Sequence, residues 1–164
     1  TASYGQGITV TPIQLITAYA AIANGGKLMR PYIVDEVVKS EGVRVKTEPQ
    51  VVRQVMSPQT AKTLTAMLVS VVKNGHAKRA AVTGYHIAGK TGTAQVPKTN
   101  GAGYDEEKHK DTFVGMFPAT DPQIVMLIKI DLPSTSAAAS TTTPAFHYLA
   151  DFLVEYYQIP PDDV

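Results

Sequence analysis

The chain has 164 residues, 44% of them apolar, with 15 Lys and Arg against 14 Asp and Glu and no Cys. This composition is typical of a soluble globular domain, and a chain of this length buries enough surface to need neither disulfides nor a structural metal. The absence of Cys excludes thiol catalysis and thiolate zinc sites, and it suits an oxidising compartment.

Charge is distributed unevenly along the chain. The first 26 residues are uncharged, residues 27–129 carry all 15 basic residues and 9 acidic ones, and the remainder carries 5 acidic residues. No carboxylate lies between Glu48 and Asp105, a window that holds seven basic residues and is therefore suited to an anion. The basic residues are scattered and lack interleaved aromatic residues, so nucleic acid is not the expected partner.

The first predicted element is a helix that begins after Thr11. Thr11 is followed by Pro12 and, three residues on, by Gln14, which is the pattern of a capping box with proline at the first helical position. Gly25-Gly26 then ends the helix near Asn24. Because apolar residues surround this helix, we expect it to be buried, and it is too short to span a bilayer.

The next segment predicts short strands and a second helix. Residues 32–39 and 43–46 alternate around a Ser-Glu-Gly turn, which indicates a hairpin, and residues 51–56 predict a further strand. Ser57-Pro58 repeats the cap-and-proline signature, and apolar residues at helical spacing continue to Asn74.

Three strands are predicted in the second half, over residues 85–96, 112–117 and 124–130. We expect the last of these at the centre of a sheet because it is almost continuously apolar. Residues 97–111, whose charged run 105–111 reads as a solvated loop, and residues 133–143 are predicted linkers, and a closing helix is expected from Pro144 to Tyr157. The pattern predicts one α/β domain of the α+β type, with a mainly antiparallel sheet flanked by helices.

The residues best suited to chemistry lie on the first of these strands, at Lys90-Thr91-Gly92-Thr93-Ala94-Gln95. Lys90 supplies a cation, Thr91 and Thr93 supply hydroxyls, and Gly92 lets a ligand's backbone approach where a Cβ would stand. These groups are suited to a carboxylate-bearing peptide along a strand edge. In the alternative interpretation Gly92 marks a β-bulge and Lys90 is a solvated strand lysine.

Longer segments give this strand a context. Together they resemble the transpeptidase domain of class B penicillin-binding proteins, the enzymes that crosslink peptidoglycan during division and elongation. The segments are Tyr4–Leu15, Ala18–Gly26, Lys90–Gln95, Phe113–Pro118 and Ile159–Pro161. The resemblance implies the fold of penicillin-binding proteins and serine β-lactamases, of which only the C-terminal part is expected here, with no separate second domain.

The resemblance also implies roles for individual residues. Lys90 would set the electrostatics of the nucleophile and its proton relay, and the Thr91 and Thr93 hydroxyls would bind the terminal carboxylate of a D-alanyl-D-alanine stem peptide or of a β-lactam. The Thr93 N–H would form half of an oxyanion hole. Lys90, Thr91, Gly92, Thr93 and Gln95 are thus the expected substrate-binding residues, with Lys90 and Thr93 in catalytic roles. Strand parity alone puts Lys90 and Thr91 on opposite faces, so their shared cleft is taken from the family.

The motifs that carry the family's serine nucleophile are not found in this sequence at the position the family gives them. The family's S-x-x-K and S-x-N motifs precede the segment at Gly5, and the sequence contains no S-x-N. Ser70-Val71-Val72-Lys73 matches S-x-x-K, but it follows that segment near the end of a predicted helix, so we expect it to be non-catalytic. We therefore expect the isolated chain to take up no β-lactam covalently.

The four His residues show no helical ligand spacing, so neither a metal nor another cofactor is expected.

Expected partners are the peptidoglycan stem peptide, β-lactam antibiotics and the upstream half of the same domain. The resemblance implies an extracytoplasmic, periplasmic location, with a membrane anchor outside this sequence. The competing hypothesis is a non-catalytic, truncated module that binds an anionic peptide or a protein. The discriminating observation is whether S-x-x-K and S-x-N are encoded upstream of Thr1.

Overall fold

The structure is a computed structural model that describes residues 7–135 and 137–162. The resembling residues Tyr4, Gly5 and Gln6 lie outside the described part. In chain order the elements are α1 Pro12–Ala23, β1 Lys27–Met29, β2 Glu36–Val38, β3 Arg44–Lys46, β4 Val51–Gln54, α2 Pro58–Asn74, a short 3-10 turn at Lys78–Ala80, β5 Ala88–Pro97, β6 Tyr104–Phe117, β7 Ile124–Asp131 and α3 Ala138–Tyr156.

The main sheet is antiparallel and three-stranded, in the order β5-β6-β7, and two two-stranded sheets pair β1 with β4 and β2 with β3. This architecture confirms the predicted mixed α/β class with a mainly antiparallel sheet. The expected central position of residues 124–130 is wrong within the described residues, where β7 is an edge strand and β6 is central. The apolar run misled because β7 is covered on its faces by α1 and α3, while its outer edge has no described strand beside it.

Helix α1 begins as predicted. The Thr11 side chain accepts a hydrogen bond from the Gln14 N–H at 3.3 Å, and Gln14 Oε1 accepts one from the Thr11 N–H at 2.8 Å. The expectation that α1 is buried is wrong, because only Ala21 is buried and Ile13 is 55% exposed. The described elements cover one side of α1 and leave the opposite apolar side open. No helix in the described ranges is long and apolar enough to cross a bilayer.

The short strands and α2 follow the sequence prediction closely. Strands β2 and β3 form the predicted hairpin, and Ser57 caps α2 by accepting a hydrogen bond from the Thr60 N–H at 3.1 Å. Strand β1 was not predicted because it has only three residues and pairs with the distant β4. The apolar side chains of this region, such as Ile33 and Val37, remain exposed.

The prediction of a loop at residues 105–111 is wrong, because β6 continues through this charged run, although most of its side chains are exposed as expected. Here β6 pairs with the second half of β5, with Lys110 opposite Ala94 and His109 opposite Gln95. Cross-strand pairing therefore outweighs the low strand propensity of a charged segment. Within it, Asp105 Oδ1 accepts hydrogen bonds from the Glu107 and Lys108 N–H groups, and the Glu107 contact in particular lowers the pKa of Asp105.

The predicted start of the closing helix at Pro144 is also wrong, since α3 begins at Ala138 and contains Pro144. Proline removes one backbone donor from the helix. The preceding threonines bond back to carbonyls of the first turn, with Thr142 Oγ1 2.7 Å from the Ala138 oxygen and Thr143 Oγ1 2.6 Å from the Ala139 oxygen. A Ser/Thr/Ala tract that reads as a linker thus forms the first turns of a helix packed against the sheet.

The core lies between the main sheet and α3. Phe146 of α3 makes edge-to-face contacts with Phe113 and Phe117 of β6, at centroid distances of 4.7 and 5.6 Å. Two cross-strand glycines make room for these rings: a Cβ on Gly115 would lie 2.7 Å from Phe146 Cζ, and one on Gly89 would lie 2.4 Å from Phe113 Cζ. The glycine immediately before Lys90 therefore seats β5 close to the aromatic core.

The segment Ile159–Asp162 folds back onto the turn before β5. Tyr85 Oη donates a hydrogen bond to the Ile159 carbonyl at 2.6 Å, and Asp162 N–H donates one to the Gly84 carbonyl at 2.9 Å. The Asp162 carboxylate accepts hydrogen bonds from the His86 N–H at 2.5 Å and from Thr120. We call these contacts the clasp; they fix the point at which the chain enters β5.

Candidate active site

The Lys-Thr-Gly segment lies on β5, where the strand passes from the core to the surface. Ala88 and Gly89 are buried, Lys90 and Thr93 are exposed, and Gln95 lies farther along on the exposed half. Among the described residues β5 pairs only with β6, so its other edge is open. The predicted site residues therefore share one strand whose base is anchored and whose functional half is accessible.

The pairing pattern determines which backbone groups face the open edge. The Leu132 N–H donates to the His109 carbonyl at 3.0 Å, so His109 directs its backbone groups toward the β7 side of β6. In an antiparallel strand the backbone N–H and C=O groups point to opposite sides at successive residues. The backbone groups of Asp111 and Phe113, two and four residues after His109, therefore also point toward β7. Their partners Thr93 and Thr91 consequently direct their own N–H and C=O groups away from β6. Both threonines thus present backbone donors at the open edge.

Lys90 reaches the same edge by bending along its own strand. Its register partner is Val114, whereas Thr91 lies opposite Phe113, so the two side chains leave β5 on opposite faces as strand parity predicts. The Lys90 ammonium nevertheless donates a hydrogen bond to the Thr91 carbonyl at 2.8 Å. The cation therefore lies beside the edge on which the Thr91 and Thr93 backbone groups are displayed.

Gly92 is not at a bulge, because the register continues through it and shifts only between Gln95 and Pro97. A Cβ on Gly92 would lie 2.6 Å from Oγ1 of Thr112, its partner on β6. The Thr112 hydroxyl donates to the Gly92 carbonyl at 3.4 Å. Any other residue at position 92 would therefore force the Thr112 side chain to shift, whatever a ligand requires.

The S-x-x-K match on α2 has an ordinary helical environment. Ser70 and Lys73 are exposed, and Ser70 Oγ accepts a hydrogen bond from Asn74 Nδ2 at 3.1 Å. Among the histidines, His109 Nε2 is 3.1 Å from the Thr135 carbonyl and His147 Nδ1 is 2.6 Å from the Ala81 carbonyl. No group of three or more metal-ligating side chains is found within the described ranges.

Sequence reasoning missed Asp111, a fully buried carboxylate directly across from Thr93. The alternation of residues along β6 could have indicated that Asp111 is buried, because it lies on the same face of the strand as Phe113, Gly115 and Phe117. Assigning residues 105–111 to a loop concealed it.

Comparison with known proteins gives the class of protein to which this arrangement belongs, an antiparallel sheet that carries Lys-Thr-Gly-Thr at an open edge and is backed by α3. The family described as "Penicillin binding protein transpeptidase domain" matches residues 1–151. Stage V sporulation protein D of Bacillus subtilis is 39% identical over 147 residues, which cover 88% of this chain and 22% of that protein. Penicillin-binding protein PbpB of Mycolicibacterium smegmatis is 36% identical over 167 residues, covering 95% of this chain and 26% of that protein.

Solved structures agree. Penicillin-binding protein 3 of Mycobacterium tuberculosis, in complex with ampicillin, matches with a TM-score of 0.87 and 34% identity, covering 96% of this chain and 37% of that one. The transpeptidase domain of Burkholderia pseudomallei penicillin-binding protein 3 matches with a TM-score of 0.84 and 36% identity, covering 100% and 47%. The chain belongs to the penicillin-binding protein transpeptidase family. It spans about a quarter of the length of these curated relatives.

Proposed function

We propose that this chain is the substrate-strand portion of a peptidoglycan D,D-transpeptidase. In this proposal β5 binds the terminal carboxylate of a D-alanyl-D-alanine stem peptide, or the carboxylate of a β-lactam. A serine outside these residues supplies the nucleophile. The β-lactam complexes of the M. tuberculosis relative, with ampicillin and with aztreonam, support β-lactams as ligands of this family.

The observation that carries the proposal is the composition of the open β5 edge. The Lys90 ammonium lies 2.8 Å from the Thr91 carbonyl, beside the outward-facing backbone of Thr93. No carboxylate occurs in the sequence from residue 49 to residue 104, so nothing on this strand competes with an incoming anion. A fixed cation, two hydroxyls and outward N–H groups together suit a peptide that ends in a carboxylate.

The proposed chemistry is acyl transfer. The serine hydroxyl loses its proton as its oxygen bonds to the carbonyl carbon of the penultimate D-alanine, and the Thr93 N–H stabilises the resulting oxyanion. The C–N bond to the terminal D-alanine then breaks, and that residue leaves with the proton on its nitrogen. An amine of a neighbouring stem peptide then displaces the serine. A single oxyanion donor commonly contributes about 2.7–4 kcal/mol to the transition state. The Lys90 ammonium would favour the deprotonated nucleophile through its positive charge.

We further propose that the remainder of the same domain covers the open surfaces of this chain. The outer side of α1 exposes Ile13, the β7 edge has no described partner, and α3 exposes Phe152 and Tyr156. The whole transpeptidase domain of the B. pseudomallei relative is more than twice as long as this chain, which covers 47% of it. Such a domain leaves room for a segment that carries the nucleophile and packs on these surfaces.

Because peptidoglycan lies outside the cytoplasm, the proposed function places this chain on the extracytoplasmic side of the membrane. The competing proposal is a non-catalytic module that binds an anionic peptide or a protein at the same edge. It predicts binding without a covalent adduct.

The test uses the full gene product that contains these residues, labelled with a fluorescent penicillin. We expect stoichiometric covalent labelling, and we expect Thr93→Val to slow it about tenfold or more, since a hydrogen bond to a charged group contributes about 1.5–3 kcal/mol. Thr99→Val, an exposed threonine beyond the strand, is the matched control and should label at the wild-type rate.

The isolated 164-residue chain should take up no label. A covalent adduct on Ser70, located by mass spectrometry of digested protein, would contradict the proposed division of the site. Reversible penicillin binding without an adduct in the full gene product would favour the non-catalytic module.

A further inference from the structure

Asp111 is a buried carboxylate that the proposed chemistry does not use. Its side chain is fully buried between β6 and the start of α3, where Thr141 Oγ1 donates a hydrogen bond to Oδ2 at 2.7 Å. Oδ1 has no hydrogen-bond partner in the described part of the chain, although His109 Nε2 lies 3.7 Å away. Burying a carboxylate with one oxygen that accepts no hydrogen bond is costly and uncommon, so its presence calls for an explanation.

The position of Asp111 next to the candidate site suggests why a carboxylate is buried there. Asp111 and Thr93 are register partners on neighbouring strands, and their backbone directions make them a non-hydrogen-bonded pair. Partners of this kind have Cα atoms about 4.5 Å apart and side chains on the same face, closer than in the hydrogen-bonded pairs. Asp111 therefore lies directly beside Thr93, the residue proposed to bind the substrate carboxylate, on the neighbouring strand.

The connection continues from Asp111 into α3. Ala137, at the start of that helix, makes no side-chain capping hydrogen bond, so the Thr141 contact with Asp111 joins the first turn to the sheet. A negative charge near a helix N-terminus is favourable, which suits this arrangement. Since β5 pairs with β6 alone among the described strands, the placement of β6 against α3 also sets the placement of Thr93.

We propose that Asp111 is a positioning residue: through its hydrogen bond to Thr141 it holds β6 against α3 and thereby sets Thr93 for the ligand carboxylate. This inference rests on the proposed function. It gives the buried carboxyl group a role in ligand discrimination.

The test compares acylation of the full gene product by a penicillin and by the methyl ester of the same penicillin. Thr141→Val removes the donor but preserves the shape of the side chain. We expect it to slow acylation by the free acid about tenfold, within the range expected for a slightly misplaced binding group, and to slow the ester less, because the ester lacks the carboxylate that Thr93 is proposed to bind. Asp111→Asn, which keeps an oxygen acceptor for Thr141, should retain the wild-type preference for the acid.

Thr142→Val is the matched control, because Thr142 follows Thr141 in the first turns of α3, but among the described residues its hydroxyl bonds only to the Ala138 carbonyl of the same helix. It should leave the acid-to-ester ratio unchanged. Equal slowing of acid and ester by Thr141→Val would overturn the inference, because it would show that the contact has no specific effect on carboxylate binding, and so would an unaltered acid rate. A wild-type protein that reacts with neither compound would overturn the proposed function and this inference with it.

Discussion

Two regions of the molecule are built from antiparallel strands but differ in how far their side chains are buried. One is the three-stranded sheet with α3, and the other is residues 27–54, which contain β1, β2, β3 and β4. In the former, Phe113, Phe117 and Phe146 are fully buried and meet edge to face. In the latter, the cross-strand partners Val37 and Val45 are 51% and 46% exposed. The candidate site belongs to the region that has its own aromatic core.

The difference shows where rigidity is needed. A strand that orients a cation and two hydroxyls must keep a fixed position, and β5 obtains it from the glycine contacts with the phenylalanine rings. In the described part of the chain no helix or sheet packs on the β2–β3 hairpin as α3 packs on the main sheet. An isolated two-stranded hairpin is only marginally stable. Substitutions in the two regions should therefore differ in their effects on unfolding.

The largest effect is expected for Phe146→Ala. Removing a fully buried ring leaves a cavity against Phe113 and Phe117, so the free energy of unfolding should fall by about 3–5 kcal/mol. Phe152→Ala is the control on the same helix; Phe152 is 54% exposed and stacks only on Tyr156 among the described aromatic rings. Its cost should be about 1 kcal/mol or less. Urea unfolding followed by circular dichroism measures both, and equal costs would contradict a core centred on Phe146.

Gly92→Ala should have the next largest effect, about 1–3 kcal/mol of overpacking, because the new methyl group meets Thr112 Oγ1. Thr112→Ala removes that oxygen, so the double variant should be more stable than the sum of the two single changes predicts. The coupling is measured by a double-mutant cycle of unfolding free energies. Strict additivity would show that the glycine requirement has another origin.

Smaller effects are expected in the hairpin. Val37→Thr combined with Val45→Thr preserves β-branching and exchanges apolar for polar groups that are already exposed. The unfolding free energy should stay within about 0.5 kcal/mol of wild type. A loss comparable to that of Phe146→Ala would mean that the two regions share one core.

The smallest effect concerns an exposed pair on the main sheet. Lys129 donates a hydrogen bond to Asp131 and holds the pKa of that carboxyl below its ordinary value. A carboxyl whose pKa is lowered in the folded state stabilises the fold above its unfolded pKa, and this contribution is lost as the pH falls through the folded pKa. Lys129→Gln should raise the pKa of Asp131, as measured by carbon NMR titration; an unchanged titration would show that Lys129 has no influence.

The features that were predictable from sequence are those with local causes. The capping box of Thr11 and Gln14 and the cap at Ser57 were confirmed at the expected residues. Lys90, Thr91 and Thr93 were found together on one strand as predicted. Their roles in binding and catalysis remain predictions.

The errors arose where distant pairing overrides local preference. The charged run before Asp111 forms a strand because β5 lies beside it, and the Ser/Thr/Ala tract before Pro144 is helical where α3 packs on the sheet. Neither neighbour is visible in the local sequence. The same errors concealed Asp111 and Thr141, whose contact exists only when β6 and α3 both begin earlier than expected.

The clasp at Asp162 has a topological consequence. Its hydrogen bonds join residues 76 positions apart, His86 and Asp162, and thereby bring together the two ends of the unit that contains β5, β6, β7 and α3. Units whose ends lie side by side tolerate circular permutation and insertion into other chains. The candidate site is thus carried on a stretch of chain whose two ends are held together by hydrogen bonds, and a permuted order of β5, β6, β7 and α3 is the kind of rearrangement that such a unit is expected to tolerate.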